Sequence, residues 1–255
     1  MIRGLYTSAM GMQNNEKRME VISNNLANID TTGYKKDTAV STSFAEVMTE
    51  IINSDQDDNQ NDVGKLSLGV GVDDVVTNYK QGSLVKTENP LDVAITNSEL
   101  AFFAVEVPGA NGAQEMYTRD GGFTVNSLGQ LTTKDGYLVK GENGVITLNG
   151  SKVNINEDGS VIEDGSSVDK LLIKEFADSS RLNKQGNNLI SNTGDTQTKP
   201  FSGQVVQGSL ESSNVNSISE MVEMISVMRS YEANQKVLKS HDDTLQKAVN
   251  EVGRV

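Results

Sequence analysis

Cysteine and tryptophan are absent from the 255 residues, and histidine occurs once, as His241. Disulfide staples, thiolate nucleophiles, multi-histidine zinc sites and histidine-based triads are thereby excluded by inventory. Basic residues are scarce: 22 Lys plus Arg face 35 Asp plus Glu, a formal charge of −13. Such a chain repels phosphate backbones and anionic headgroups, so neither nucleic acid nor a membrane surface is expected as a partner. Long apolar runs are missing too. The longest, Ala101-Phe102-Phe103-Ala104-Val105, is far below the roughly 20 residues that cross a bilayer. The opening Met1-Ile-Arg-Gly-Leu-Tyr6 has neither the apolar stretch nor the small-residue cleavage site of a secretory signal, so export, if it occurs, is expected to take another route. Length alone allows one sizeable core or two modest ones.

Proline is missing from residues 3–28, and both glycine and proline from residues 214–252, which leaves two long stretches free to be helical. In the first, Leu5, Met12, Met19 and Leu26 recur every seventh residue, joined by Ala9 and Ile22. That is the period of a seam against another helix, although Asn15 and Glu16 interrupt the companion positions. In the second, Ile218, Met221, Val222, Ile225, Met228 and Val249 keep helical spacing, and Met224, Tyr231, Leu238, Leu245 and Val252 hold one heptad register. The stripe spacing makes Met10, Met12, Met19, Met221, Met224 and Met228 packing residues rather than a metal-binding surface. At about 1.5 Å per residue a helix over 217–252 would be roughly 50 Å long, more than a small domain needs. Two narrow stripes at opposite ends of a chain are most simply buried against each other, and two helices alone leave much of their apolar edge wet. Polymerisation would bury the remainder, and marginal helices of this kind are expected to order fully only on assembly.

Between the helices the punctuation changes. The first helix is expected to stop at Asn28-Ile-Asp-Thr-Thr-Gly33-Tyr34, where Asn, Asp and Thr compete for backbone hydrogen bonds and Gly permits positive φ. Residues 53–62 are too polar to bury anything and predict a solvated loop. Asp-Gly at 120, 135, 158 and 164 and Asn-Gly at 111, 143 and 149 are type I′ hairpin dipeptides, which predict an antiparallel β domain with one solvated face. The class is α+β: long N- and C-terminal helices that pair, flanking a mainly antiparallel β domain. The expected division is a helix over 1–30, a connecting segment with an acidic polar loop over 31–80, the β domain over 81–212 and the second helix over 213–255.

Several motifs then come into register. Met1-Ile-Arg-Gly-Leu-Tyr-Thr-Ser-Ala-Met-Gly-Met12, followed by Val21-Ile-Ser-Asn24-Asn25-Leu26-Ala27-Asn28-Ile-Asp-Thr-Thr-Gly33-Tyr34-Lys35, resembles the N-terminal signature of flagellar rod and hook proteins. Gln81-Gly82, Asn89-Pro-Leu-Asp-Val-Ala-Ile95, Tyr117-Thr-Arg-Asp-Gly-Gly-Phe123 and Gly129-Gln-Leu-Thr-Thr-Lys-Asp-Gly-Tyr137 are similar to that family's central β motifs. Gly208-Ser-Leu-Glu-Ser-Ser-Asn-Val-Asn216, Glu220-Met-Val-Glu-Met-Ile225 and Arg229-Ser-Tyr-Glu-Ala-Asn-Gln-Lys236 are similar to its C-terminal signature. In one place the chain departs from the family. Where other members have a Gly-containing turn before a paired Phe, Ile95 here leads through Thr-Asn-Ser-Glu-Leu-Ala to Phe102-Phe103.

The resemblance implies a structural subunit of the basal-body rod, in length and single β domain most like the family's distal rod members, self-assembling into a helical tubular shaft. It implies paired terminal helices facing the filament axis and an assembly interface at Leu5, Met12, Met19, Ile22 and Leu26 on one helix. On the other the interface comprises Ile218, Met221, Met224, Ile225, Met228, Tyr231, Leu238, Leu245 and Val252. Its family motif comprises Asn24, Asn25, Leu26, Ala27, Asn28, Gly33 and Tyr34. The implied partners are copies of the chain, neighbouring rod and hook proteins and the flagellar export apparatus, in the basal body beyond the cytoplasmic membrane. A proximal rod or hook-type subunit and a secreted oligomeric adhesin are the alternatives.

Readings that would carry chemistry fall away. Asp55, Asp57 and Asn59 open like a calcium loop, but Gln60 stands where Gly is required and Leu66 where Glu is. Gly69-Val-Gly-Val lacks the third Gly of a dinucleotide fingerprint. Ser83-Leu-Val-Lys86 has no accompanying Lys-Thr-Gly. His241, beside Asp242 and Asp243, is expected on a helix surface. No spacing singles out a carboxylate pair for glycoside hydrolysis, so no enzymatic activity, cofactor or metal is expected.

Overall fold

The computed structural model describes residues 2–43, 47–50, 62–66, 69–109, 112–150, 152–186, 188–192 and 197–252. Residues 53–61 of the acidic run that reads as a solvated loop, with Asp55, Asp57 and Asn59, lie outside the described residues, as does Asn111, while its last residue, Asp62, begins a strand. The chain divides into two compact units.

Unit one takes residues 1–26, 37–77 and 217–255. Helix α1 (Ile2–Ala27) and helix α2 (Ser217–Lys247, continuing as a π-helical turn over Ala248–Val252) supply its helices. Strands β1 (Asp37–Ser43) and β4 (Val70–Thr77) pair antiparallel with a bulge after Val40. Strands β2 (Val47–Glu50) and β3 (Asp62–Leu66) pair likewise. Gly69-Val-Gly-Val is thus the edge of a strand, with no helix following it.

Unit two takes residues 27–36 and 78–216. Its first strands are β5 (Leu84–Lys86) and β6 (Val93–Thr96), followed by β7 (Ala101–Gly109) and β8 (Gly112–Thr118). Short strands β9 (Phe123–Val125), β10 (Leu131–Thr133), β11 (Leu138–Gly141) and β12 (Gly144–Val145) follow, each paired antiparallel with the next. A separate three-stranded sheet runs β13 (Val153–Ile155), β14 (Ser160–Glu163) and β15 (Ser166–Lys170). The chain returns through β16 (Ile173–Phe176), β17 (Leu182–Gln185), β18 (Leu189–Asn192) and β19 (Thr198–Lys199). It ends with β20 (Gln204–Gln207) on β6 and β21 (Ser209–Glu211) on β5.

The spine of the large sheet is β7. It pairs with β8 along one edge and with both β11 and β16 along the other. Alternation along an extended strand sends Ala101, Phe103 and Val105 to one face and Phe102 and Ala104 to the opposite one. Both faces are covered: the first set joins a core with Val93, Ile95, Phe123, Leu131, Val139 and Ile146. The second joins Tyr79, Tyr117, Phe176, Leu182 and Ile190. The expectation of one solvated face is therefore corrected for this strand, whose unbroken apolar run is the mark of burial on two sides. Phe103 meets Phe123 edge-on at 5.2 Å between centroids and Tyr117 meets Phe176 at 5.0 Å, the separation at which aromatic quadrupoles attract.

The turn dipeptides mark loops, and their geometry is mixed. Among the dipeptides with both residues described, only Asp164-Gly165 has positive φ at both, 48° and 87°, as a type I′ turn requires. At Gly136 and Gly159 the Gly alone is positive, as in hairpins closed through a bulge, whereas Gly144, at φ 132°, pairs with Gly141 across a two-residue loop. Asp120-Gly121 is no hairpin: it bends between β8 and β9, where the Val93 amide donates to the Gly121 carbonyl at 3.0 Å. The turn before Phe102-Phe103 is made without Gly, because Asn97 takes φ 62°, the left-handed region Asn tolerates best among residues with a side chain.

Candidate functional site

The two helices of unit one run antiparallel, and their seam is made of small and polar residues. A Cβ on Gly4 would meet His241 Nε2 at 2.7 Å and one on Gly11 would meet Asn234 Nδ2 at 2.8 Å. Each side chain of α2 therefore fills the space that a missing side chain leaves on α1. Farther along, Arg18 pairs with Glu223 at 2.9 Å and Asn25 Nδ2 donates to Glu220 Oε2 at 3.1 Å. Gly4, Gly11, Arg18 and Asn25 step by seven, and so do Glu220, Asn234 and His241 when Val227 is included. The buried residues of α1, Ser8, Asn15, Ile22 and Asn25, fall on the same stripe, and so do Glu220 and Val227, the buried residues of α2. His241 is half-buried over Gly4 rather than free on a surface, a correction that follows from the lack of a side chain opposite.

The apolar residues lie beside or away from this seam. Leu5, Met12, Met19 and Leu26 sit one position past it and are half-buried, as are Met224, Tyr231, Leu238 and Leu245; Ile22 lies in it. On α2, Ile218 is 73% exposed, Met221 50%, Val222 62%, Ile225 51% and Met228 48%. The Val252 side chain lies outside the described residues. Apart from Ile22 and Val227, the pair is thus built inside out, with polar and glycine contacts within and an apolar face without. Monomeric proteins rarely leave such a face open.

The motif residues have distinct tasks. Asn25 accepts the Asp37 amide at 2.9 Å and donates to the Asp37 carbonyl at 2.8 Å as well as to Glu220, so one side chain ties α1, β1 and α2. Asn24 and Ala27 are exposed on the helix and Leu26 is half-buried. In unit two, Asn28 is buried and opens the turn that ends α1: its carbonyl accepts from Thr31 at 3.2 Å. Gly33 has φ +70°, and a Cβ there would lie 2.6 Å from the Arg119 carbonyl carbon. Tyr34 is buried, with Lys184 Nζ 3.6 Å above its ring, a cation–π contact.

Sequence reasoning missed the ionic node of unit two. Glu211, at the end of β21, receives Lys35 Nζ at 2.7 Å on one carboxylate oxygen and Arg119 Nε at 2.6 Å on the other. All three residues are at most 3% exposed. The remaining donors are satisfied by backbone: Arg119 donates to the carbonyls of Ala101, Ile95 and Ser98, and Lys35 to that of Lys80. The Gly82 amide adds a further bond to Glu211 at 2.8 Å. Burial by itself pushes the Glu211 carboxyl up, but the Arg119 guanidinium and the Lys35 ammonium outweigh it and hold the group below the usual carboxylate range. Burial pulls the Lys35 ammonium down, and Arg119 adds to that while Glu211 opposes it. Each node residue stands inside a motif quoted above, which is the signal that could have singled them out.

Among the described residues no cluster of His, Asp and Glu could hold a metal ion, and no helix is long and apolar enough to cross a membrane. Ser83 leads into β5, whose residues are all exposed, so Lys86 has no enclosed site in which to activate it.

Family models match three parts of the chain: "Flagella basal body rod protein" over residues 5–35, "Flagellar hook protein FlgE/F/G D1 domain" over 100–163 and "Flagellar basal body rod FlgEFG protein C-terminal" over 206–251. Lys35, Arg119 and Glu211 fall one in each. The chain is 37% identical to the flagellar basal-body rod protein FlgG of Buchnera aphidicola subsp. Schizaphis graminum, over 97% of this chain and 98% of the relative. It is 34% identical to FlgG of Agrobacterium fabrum, over 95% and 96%. The flagellar hook-basal body complex protein FlhO of Bacillus subtilis matches at 31% identity over 100% of both chains. With relatives of this identity running its whole length, and family models on both ends and the centre, the chain belongs to the flagellar basal-body rod and hook protein family and is most like its FlgG rod proteins.

Proposed function

We propose that this protein is a structural subunit of the distal rod of the bacterial flagellar basal body, without catalytic activity. It polymerises with copies of itself into a helical tube and abuts neighbouring rod and hook proteins. The observation that carries the reading is the inverted helix pair. A seam of Gly, Ser, Asn, Arg and Glu fixes how α1 and α2 lie against each other, while Ile218, Met221, Val222, Ile225 and Met228 remain available to another molecule. At about 25 cal/mol per Å² of apolar surface removed from water, a face of five large side chains is a strong drive to associate. Leu5, Met12, Met19 and Leu26, with Met224, Tyr231, Leu238 and Leu245, are the half-buried residues that complete the assembly surface in this reading. Passage through the flagellar export apparatus without a cleaved signal, and full ordering of the helix ends only in the polymer, belong to the same reading. The match to FlhO favours, as a second reading, another rod or hook-type position in the same structure.

The test is a pair of charges on the outer face. The double variant Met221→Asp/Ile225→Asp keeps the far-UV circular dichroism and urea midpoint of the monomer, because both positions are exposed. It abolishes the helical assemblies seen by electron microscopy and fails to complete basal bodies in cells lacking the native protein. Assembly at native efficiency by this variant refutes the reading.

A further inference from the structure

Glu211 is separated by 176 residues from Lys35 and by 92 from Arg119, yet the three meet in the interior of unit two. The order in which they enter the chain matters. Glu99 contributes to the field at Lys35, but the carboxylate bonded to both cations is that of Glu211, and Arg119 spends its other donors on the carbonyls of Ala101, Ile95 and Ser98. Two cations enclosed side by side without the carboxylate that bonds to both oppose closure of the body around them. The compensating carboxylate arrives only with β21, the last strand. That strand pairs with β5, and the Glu211 carbonyl also accepts the Gly33 amide at 2.8 Å. One residue thus delivers the missing charge, seats the segment that follows α1 and closes the β5 edge.

We infer that Glu211 is a completion switch: unit two closes stably only when the strand carrying it is in place, so an incomplete or partly emerged chain cannot settle into a folded body. The geometry makes this a charge effect as well as a packing effect. Removing one member of a buried ion group leaves uncompensated charge and is strongly destabilising, whereas removing charges together can be nearly neutral. On the rod reading, the consequence is that a subunit still threading the export channel stays unfolded until its C-terminal segment is free; the folding behaviour itself does not depend on that reading.

The experiment is carried out on the full chain. Glu211→Gln is close to isosteric and leaves the strand's apolar contacts intact. The expected result is a fall of roughly 100-fold or more in the folded-to-unfolded ratio of unit two. Native-state hydrogen exchange should show that loss in β7 and β8 together with β21, as one cooperative opening. The second variant, Glu211→Gln/Lys35→Met, removes a cation along with the anion, and much of the loss should be regained. Three results overturn the switch: a Glu211→Gln protein as stable as the native one, exchange confined to β5 and β21 with the core unaffected, or a double variant no better than the single one. The last holds even if Glu211→Gln does not fold, because the regain is then measured from an unfolded baseline. Failure of the Met221→Asp/Ile225→Asp assembly test, by contrast, leaves these folding results untouched.

Discussion

Replacing Asn25 by Ala removes a side chain that is 1% exposed and holds three contacts in unit one: the Asp37 amide, the Asp37 carbonyl and the Glu220 carboxylate. The two bonds to backbone contribute about 1 kcal/mol each, and the bond to a buried carboxylate about 1.5–3 kcal/mol. Against that, Ala is a better helix former than Asn by roughly 0.6 kcal/mol. The net expectation is a loss of about 3–4 kcal/mol, large beside the stability of a small folded unit. It is read from the urea midpoint of helical circular dichroism, at protein concentrations too low for assembly. Exchange of α1 amides should accelerate in parallel, because the same side chain anchors the helix to both α2 and β1. Asn14→Ala is the control: its contact with Ser41 Oγ, at 2.8 Å, is exposed and is expected to cost less than about 0.5 kcal/mol. A cost below about 1 kcal/mol for Asn25→Ala would refute the claim that this junction holds the unit together.

Two further outcomes follow from unit two. The Glu211 carboxyl titrates below its ordinary value of 4.5 when folded, so the unfolded chain binds the proton first as pH falls; stability from the node is complete above that ordinary value and drains away below it. Urea midpoints against pH should show this acid loss in the native chain, and a markedly smaller one in Glu211→Gln. At Gly33 both the φ of +70° and the 2.6 Å approach to the Arg119 backbone oppose a side chain. Gly33→Ala is therefore expected to cost more than about 3 kcal/mol, seen as a lowered thermal midpoint for unit two, and a native midpoint would contradict the geometry.

How much of this could be read in advance depended on which residues carried the signal. The helices announced themselves through apolar spacing and the lack of breakers. Their mutual seam did not, because Gly4, Ser8, Gly11, Asn15 and Asn25 have no hydrophobic period to detect. The stripe of Leu5, Met12, Met19 and Leu26 was visible because it is apolar, and it stands one position off the contact line. Turn dipeptides located most loops, but Asp120-Gly121 shows that the same pair can serve a bend held by a distant strand. The ionic node was missed for a different reason: Lys35, Arg119 and Glu211 each stand in a quoted motif, but nothing in those motifs separates a buried charge from a surface one, and the fold reveals that they share one interior site.

The doubly covered strand β7 has a consequence for handling the protein before it folds. Ala101-Phe102-Phe103-Ala104-Val105 is a short, uncharged, β-prone segment, the type that stacks into cross-strand aggregates when exposed. Glu99 and Glu106 bracket it closely, placed as gatekeepers whose repulsion discourages such stacking. Neutralising both with Gln should leave the folded molecule nearly unchanged while driving newly made chains into inclusion bodies.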